Sequence, residues 1–190
     1  MHLKTLSLLT VASAMLLAAC GSTPNVGNQS DRDLLVSRGR ATLDEFRAKD
    51  PSLEPILNSS YAYAVFPEIV TGAVGVGGAA GNGAVYQNGR LIGYADVSQG
   101  SVGLQLGGQK YAELVIFKDE AHFLDFSRST LEFDARASAV AAANGAAGTA
   151  DYSRGVLVFS MPEGGLMFQA SIGGQKFRYE PAPGAPMPRP

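Results

Sequence analysis

The stretch Ala84-Val85-Tyr86-Gln87-Asn88-Gly89-Arg90-Leu91-Ile92-Gly93-Tyr94 decides how this chain is read. Two apolar runs flank Asn-Gly, the preferred two-residue hairpin turn, because both turn residues tolerate positive φ. An antiparallel hairpin is therefore expected, with Ala84–Tyr86 and Arg90–Tyr94 as its arms. Upstream, Tyr61–Pro67 reads as a strand, and Ile69–Gly78 as a strand broken by glycine. Downstream, Val102–Leu106, Ala112–Phe117, Gly155–Phe159, Leu166–Ile172 and Lys176–Tyr179 read as strands, with a Pro162-Glu163-Gly164-Gly165 turn between two of them. From Leu131 to Ala139 apolar and polar residues alternate, the period of a half-buried strand.

Glycine is the strongest compositional anomaly. The chain has 23, and 12 of them fall between Gly72 and Gly108. Interleaved with Val, Ala, Leu and Tyr, they suggest strands that bend, bulge or approach one another closely. Gly75-Val76-Gly77-Gly78-Ala79-Ala80-Gly81 has the look of a dinucleotide loop. That chemistry needs the loop to open a helix whose free N–H groups face phosphate. The Asn88-Gly89 hairpin follows too soon for one to fit.

Helices are expected at the N-terminal side of the sheet. Over residues 31–49, Leu35, Val36, Leu43 and Phe46 fall on one side at helical spacing. Ser30 or Asp31 can cap this helix, since their oxygens accept a free N–H of the first turn. Asp50-Pro51 stops it, because a residue before proline avoids helical backbone angles. A second short helix is expected over Leu53–Ser59, and a third over Asp119–Phe126 with Asp119 as cap. The expected fold is α+β: one domain, mainly an antiparallel Gly-rich sheet, sandwich- or barrel-like, with N-terminal helices and a short mid-chain helix. Within it, Gly107-Gly108-Gln109-Lys110-Tyr111 is echoed by Gly173-Gly174-Gln175-Lys176-Phe177, either a duplicated strand-turn-strand unit or a coincidence.

The first residues have the order of an export signal: Lys4, an apolar run from Leu6 to Leu17, then Leu17-Ala18-Ala19-Cys20. That run is shorter than the roughly 20 residues of a bilayer span, and Gly21-Ser22-Thr23-Pro24-Asn25 behind it is a polar tether. Leu-Ala-Ala-Cys closing an apolar segment resembles the lipobox of bacterial lipoproteins. The resemblance implies cleavage after residue 19, a diacylglyceryl group on the Cys20 thiol and attached acyl chains such as palmitate. Two acyl chains suffice for stable attachment, at roughly 0.8 kcal/mol per buried CH₂. Gly21, in place of Asp, implies by the same resemblance the outer membrane, with the domain facing the periplasm. The expected organisation is a signal peptide over 1–19, lipidated Cys20 and tether over 20–30, the domain over 31–180 and a Pro-rich tail over 181–190. Cys20 is the one cysteine, so no intramolecular disulfide forms.

Charge and residue types narrow the function. Without Lys4 the chain carries 14 basic and 17 acidic residues, which does not favour nucleic acid. His122 is the one histidine beyond the signal, and it reads as a surface or boundary residue. No His/Cys cluster suggests a metal, no nucleophile elbow is present, and no cofactor is expected. Glu113 with Asp119 is a possible but unremarked carboxylate pair of the glycosidase kind. Around the apolar stripe of the 31–49 helix, Arg38 and Lys49 flank one edge and Arg40 and Arg47 the other. Two readings stay open: a helix lying on anionic lipid, or one packed on the sheet with cations snorkelling at its margins. Asp33, Asp44 and Glu45 dilute the positive charge.

Tyr63-Ala64-Val65-Phe66-Pro67, Gly75-Val76-Gly77-Gly78, Gly81-Asn82-Gly83, Gly93-Tyr94, Gly103-Leu104-Gln105-Leu106-Gly107-Gly108-Gln109 and Tyr152-Ser153-Arg154-Gly155-Val156 follow one another along the chain. In this order they resemble the SYLF domain family of lipid-binding proteins. They span roughly 31–175. Where the family often has Gly-Ala-Asp-Ala and then Gly-Pro, this chain has Phe133-Asp134-Ala135-Arg136 and Asn144-Gly145. Eukaryotic members bind phosphoinositides through a basic amphipathic N-terminal segment, and some fungal ones bind actin. For an exported bacterial chain the resemblance implies non-catalytic phospholipid binding beside the acyl anchor, with Arg38, Arg40, Arg47 and Lys49 as candidate contacts. The alternatives are an envelope structural or protein-interaction lipoprotein, with the protein partner unspecified, and a hydrolase of envelope polymers.

Overall fold

The computed structural model describes residues 28–74, 76–101, 109–131, 140–141, 145–150, 152, 155–162 and 174–185. Outside them lie the signal, Cys20, most of the tether and the end of the tail. So do the expected strands Val102–Leu106 and Leu166–Ile172, the alternating stretch after Leu131, the turn after Pro162 and the Gly103–Gly108 motif.

Two helices come first, α1 (Gln29–Lys49) and α2 (Leu53–Ser59). Strands β1 (Ala62–Val74), β2 (Val76–Gln87), β3 (Arg90–Ser101) and β4 (Gln109–Phe117) follow, then α3 (Glu120–Ser127). The chain ends with β5 (Val140–Ala141), a 3-10 turn at Ala147–Thr149, β6 (Val156–Pro162) and β7 (Gln175–Pro181). They form one sheet in the order β5-β6-β4-β1-β2-β3-β7. Every pairing is antiparallel except that of the two-residue β5 with β6. The fold is α+β, as expected.

The hairpin turn forms as read: Asn88 and Gly89 have φ of 50° and 74°, with Gln87 opposite Arg90. Glycine breaks the strands elsewhere than expected. The run Ile69–Gly78 is divided between β1 and β2, which are paired up to Val74 opposite Val76. The Gly-rich dinucleotide-like segment is thus mostly β2. Proline interrupts β1 at a bulge: both ladders of the strand shift register around Pro67, which has no N–H to give.

The sheet is apolar on both faces, so its central strands read as nearly continuous hydrophobic runs. On one face α1, α2 and the 3-10 turn cover Tyr63, Val65, Leu114, Ile116 and Phe159 with Leu43, Phe46, Leu53 and Leu57. On the other, α3 brings Phe123 and Phe126 onto Phe117, Phe177 and Tyr179. Each aromatic or aliphatic side chain so buried contributes roughly 1.5–3 kcal/mol.

This second face is concave. Gln175 on β7 donates to Glu113 on β4 at 3.1 Å, although three strands separate β4 from β7 in the sheet. In a flat sheet four spacings of about 4.8 Å would hold them some 19 Å apart. The ring centroids of Phe66 and Phe177 also meet at 5.9 Å across the same gap. The sheet therefore curls into a trough with β7 arching back over β1 and β4. It is barrel-like and not closed: β7 and β5 end the strand order. Glycine permits the curl at close quarters. A Cβ at Gly83 would lie 2.7 Å from the Phe66 ring, and one at Gly93 2.3 Å from the Tyr179 ring.

Candidate functional site

Two places gather polar chemistry: the α1–α2 side of the sheet and the floor of the trough. On the helical side, α1 is capped by Asn28, two or three residues before the expected Ser30 or Asp31. Asn28 Oδ1 accepts from the Asp31 N–H at 2.9 Å, and its amide donates to the Asp31 carboxylate at 2.8 Å. Asn28 reaches the free N–H groups first, leaving Ser30 and Asp31 inside the helix. The stripe packs on the sheet through Gly39, Thr42, Leu43 and Phe46, while Leu35 and Val36 are half-buried. Gly39 allows the approach, with Tyr86 Oη 3.4 Å from where its Cβ would stand. Leu34 is left outside, 52% exposed.

The four cations singled out in sequence do not form one patch. Arg47 is ion-paired to Asp44 at 3.4 Å and to Glu54 of α2, with Nε 2.9 Å from Oε2. The Glu54 contact has ion-pair distance without hydrogen-bond alignment. Arg40, at the same edge, acts on Tyr86, whose hydroxyl burial pushes up to about 12 against the pull of that guanidinium. Arg38 is exposed, one turn beyond Leu34 on the outward face, and makes no ion pair among the described residues. Lys49 lines a cleft of about 340 Å³ with Glu45, Glu68, Lys110, Tyr111 and Met161. Lys110 and Glu68 pair there at 2.9 Å, so the cleft carries both signs of charge. A further cation, unremarked in sequence, ties α1 to the sheet: Arg32 pairs with Glu180 at 2.6 Å and lies 4.8 Å from the Tyr94 ring centre.

Asp50 ends α1, as expected before proline, and also does more. Its side chain is buried, where it accepts from the Ser52 hydroxyl at 2.6 Å and the N–H groups of Ser52, Gly145 and Ala147 at 3.0, 3.0 and 2.7 Å. Burial pushes this carboxyl up, but the four donors outweigh it and hold it below the usual carboxylate range. Asp50 thus fastens the α1–α2 junction to a loop some 95 residues away.

In the trough, Glu113 is fully buried. Alternation along β4 puts it on the side of Tyr111, Val115 and Phe117, and Phe66 and Ser160 stand opposite it on β1 and β6. Oε2 accepts from Gln175; Oε1, the Ser160 hydroxyl and Gln175 Oε1 have no hydrogen-bond partner among the described residues. Burial pushes the Glu113 carboxyl up to about 7, and the Gln175 amide offsets only part of that. The sequence held a signal for this residue: one carboxylate in a strand otherwise apolar from Tyr111 to Phe117. Gln175 was visible only as part of the Gly-Gly-Gln-Lys-aromatic echo. In both copies Lys is exposed and the aromatic residue, Tyr111 or Phe177, points into the trough.

Glu113 and Asp119 do not converge. Asp119 stands at the surface as the α3 cap, bonded to the His122 N–H at 3.2 Å and to His122 Nδ1 at 2.7 Å. His122 is a half-buried boundary residue, its ring against Gly155. Among the described residues no group of His, Cys, Asp and Glu could hold a metal, and no helix is long and apolar enough to cross a membrane.

No protein-family model matches the chain. Over 129 residues it is 26% identical to Beta cell expansion factor A of Aeromonas veronii. The match covers 68% of this chain and 49% of that protein, so the chain spans about half the length of the relative it matches.

Proposed function

We propose that this chain is a non-catalytic lipoprotein, held at the outer membrane through Cys20, whose SYLF-type domain meets phospholipid through the outward face of α1. The SYLF part is supported by the ordered motifs, and the chain is distantly like Beta cell expansion factor A. The lipid part rests chiefly on one observation: Leu34 is 52% exposed, and Arg38, which makes no ion pair among the described residues, stands one turn away on the same face. An apolar side chain beside a cation suits an anionic bilayer surface, the former entering the acyl boundary and the latter meeting phosphate. Seven residues of tether separate Cys20 from Asn28, so an acyl anchor would keep that end of α1 near the bilayer.

Of the four cations, this reading favours Arg38 first and Lys49 second. Arg47 is already answered by carboxylates and Arg40 is turned to Tyr86. Co-sedimentation of residues 21–190 with neutral and anionic vesicles, at low and high salt, tests it. The expected result is salt-sensitive binding to anionic vesicles that Leu34→Ser with Arg38→Glu abolishes and Arg47→Glu leaves nearly intact. Binding that survives reversal of all four cations puts the contact elsewhere. Absence of binding leaves Cys20 as the membrane contact and favours the protein-interaction alternative.

A further inference from the structure

We propose that Glu113 and Gln175 form a proton-operated latch that holds β7 across the trough when Glu113 is neutral and releases it when Glu113 ionises. The premise is geometric. Gln175–Glu113 is a side-chain bond reaching over the concave face from β7 to β4, strands that are not sheet neighbours. Both residues are buried almost completely, at 1% and 0% exposure. A neutral carboxyl there has an O–H to donate, and Gln175 Oε1, without a partner among the described residues, is an acceptor on the residue that Glu113 already bonds. Ionisation strengthens the bond that the Gln175 amide gives but leaves a buried charge, which water reaching an opened trough stabilises more.

Among the described residues no charge facing Glu113 compensates it. From β4 the titratable neighbour is Tyr111, which burial and Glu113 itself push up, so it stays neutral. β1 presents Phe66, β6 presents Ser160, and β7 presents Gln175 and Phe177. The cations of these strands, Lys110, Lys176 and Arg178, are exposed on the other side. The carboxyl sits at about 7, so release falls near neutrality. Among the described strands β7 ends the order, with β3 on one side and Phe177, Tyr179 and Gln175 holding it inward, so it can yield first. Its release uncovers Phe66 and Phe126, against which Phe177 packs at 5.9 and 5.2 Å.

Hydrogen–deuterium exchange of the full chain from pH 5 to 8.5, corrected for intrinsic rates, tests this. Protection of residues 175–181 is expected to fall at least tenfold as pH rises through about 7, while residues 62–87 keep theirs. Glu113→Gln, neutral at every pH, is expected to stay protected with a flat profile. Gln175→Met removes the donor that favours the ionised form, so its midpoint is expected to move to higher pH. This second variant decides the matter if Glu113→Gln does not fold. The latch is overturned by a flat wild-type profile, by the same fall in Glu113→Gln, by an unmoved midpoint in Gln175→Met, or by equal loss over 62–87.

Discussion

Asp50 and Glu113 are both buried carboxyls, yet burial leads to opposite outcomes in the two regions they occupy. At the helix junction four donors converge on Asp50, and it is held ionised below its ordinary range. In the trough one amide reaches Glu113, and the carboxyl rises to about 7. Burial alone does not decide the charge state; the number of donors assembled around the group does. The two groups therefore tie stability to pH with opposite sign. The stability from Asp50 is present above its unfolded value of 3.8 and is lost as pH falls through its lower folded value. That from neutral Glu113 is present below 4.5 and is lost as pH rises through about 7.

The largest effect that could break this contrast is Asp50→Ala. It leaves the N–H groups of Gly145, Ala147 and Ser52 without their acceptor, and a loss of about 3–5 kcal/mol is expected by urea unfolding at pH 7. A loss under about 1 kcal/mol would mean that the junction is not fastened by this residue. Next is Glu113→Gln. A shift from 4.5 to about 7 corresponds to a gain on the order of 3 kcal/mol at pH 8.5, disappearing near pH 4.5. Equal gains at both pH values would show that packing, and not protonation, separates the variants.

Gly83→Ala sharpens the comparison by loading one region alone. The new methyl meets the Phe66 ring, directly opposite Glu113, and should cost about 1–3 kcal/mol. In double-mutant cycles it should couple to Glu113→Gln and add independently to Asp50→Ala. The smallest effect is expected for Arg47→Ala, which removes a partly exposed ion pair between α1 and α2. It should cost less than about 1 kcal/mol and fade with salt, whereas the Asp50 effect should not.

The elements legible in sequence are those whose causes lie within a few residues. Asn88-Gly89 specified its hairpin, Asp119 capped α3 and Asp50-Pro51 ended α1. The density of glycine was legible as close approach, but not which ring filled each gap, because Phe66 and Tyr179 come from other strands. The α1 cap stands two or three residues before the expected ones, since Asn28, Ser30 and Asp31 are all capping types and only the chain's path into the helix distinguishes them. The site was less legible. Arg38, Arg40, Arg47 and Lys49 were found as types, whereas their partners Tyr86 and Glu54 come from neighbouring elements.

Sequence by itself determined the helices, the hairpin and the two-sided apolar character of the central strands, because turn preference, capping and residue period act locally. Tertiary structure decided the sheet order, the curl and the state of Glu113. The donor to Glu113 lies 62 residues away in Gln175, and the charge of a buried carboxyl depends on the groups that folding brings to it.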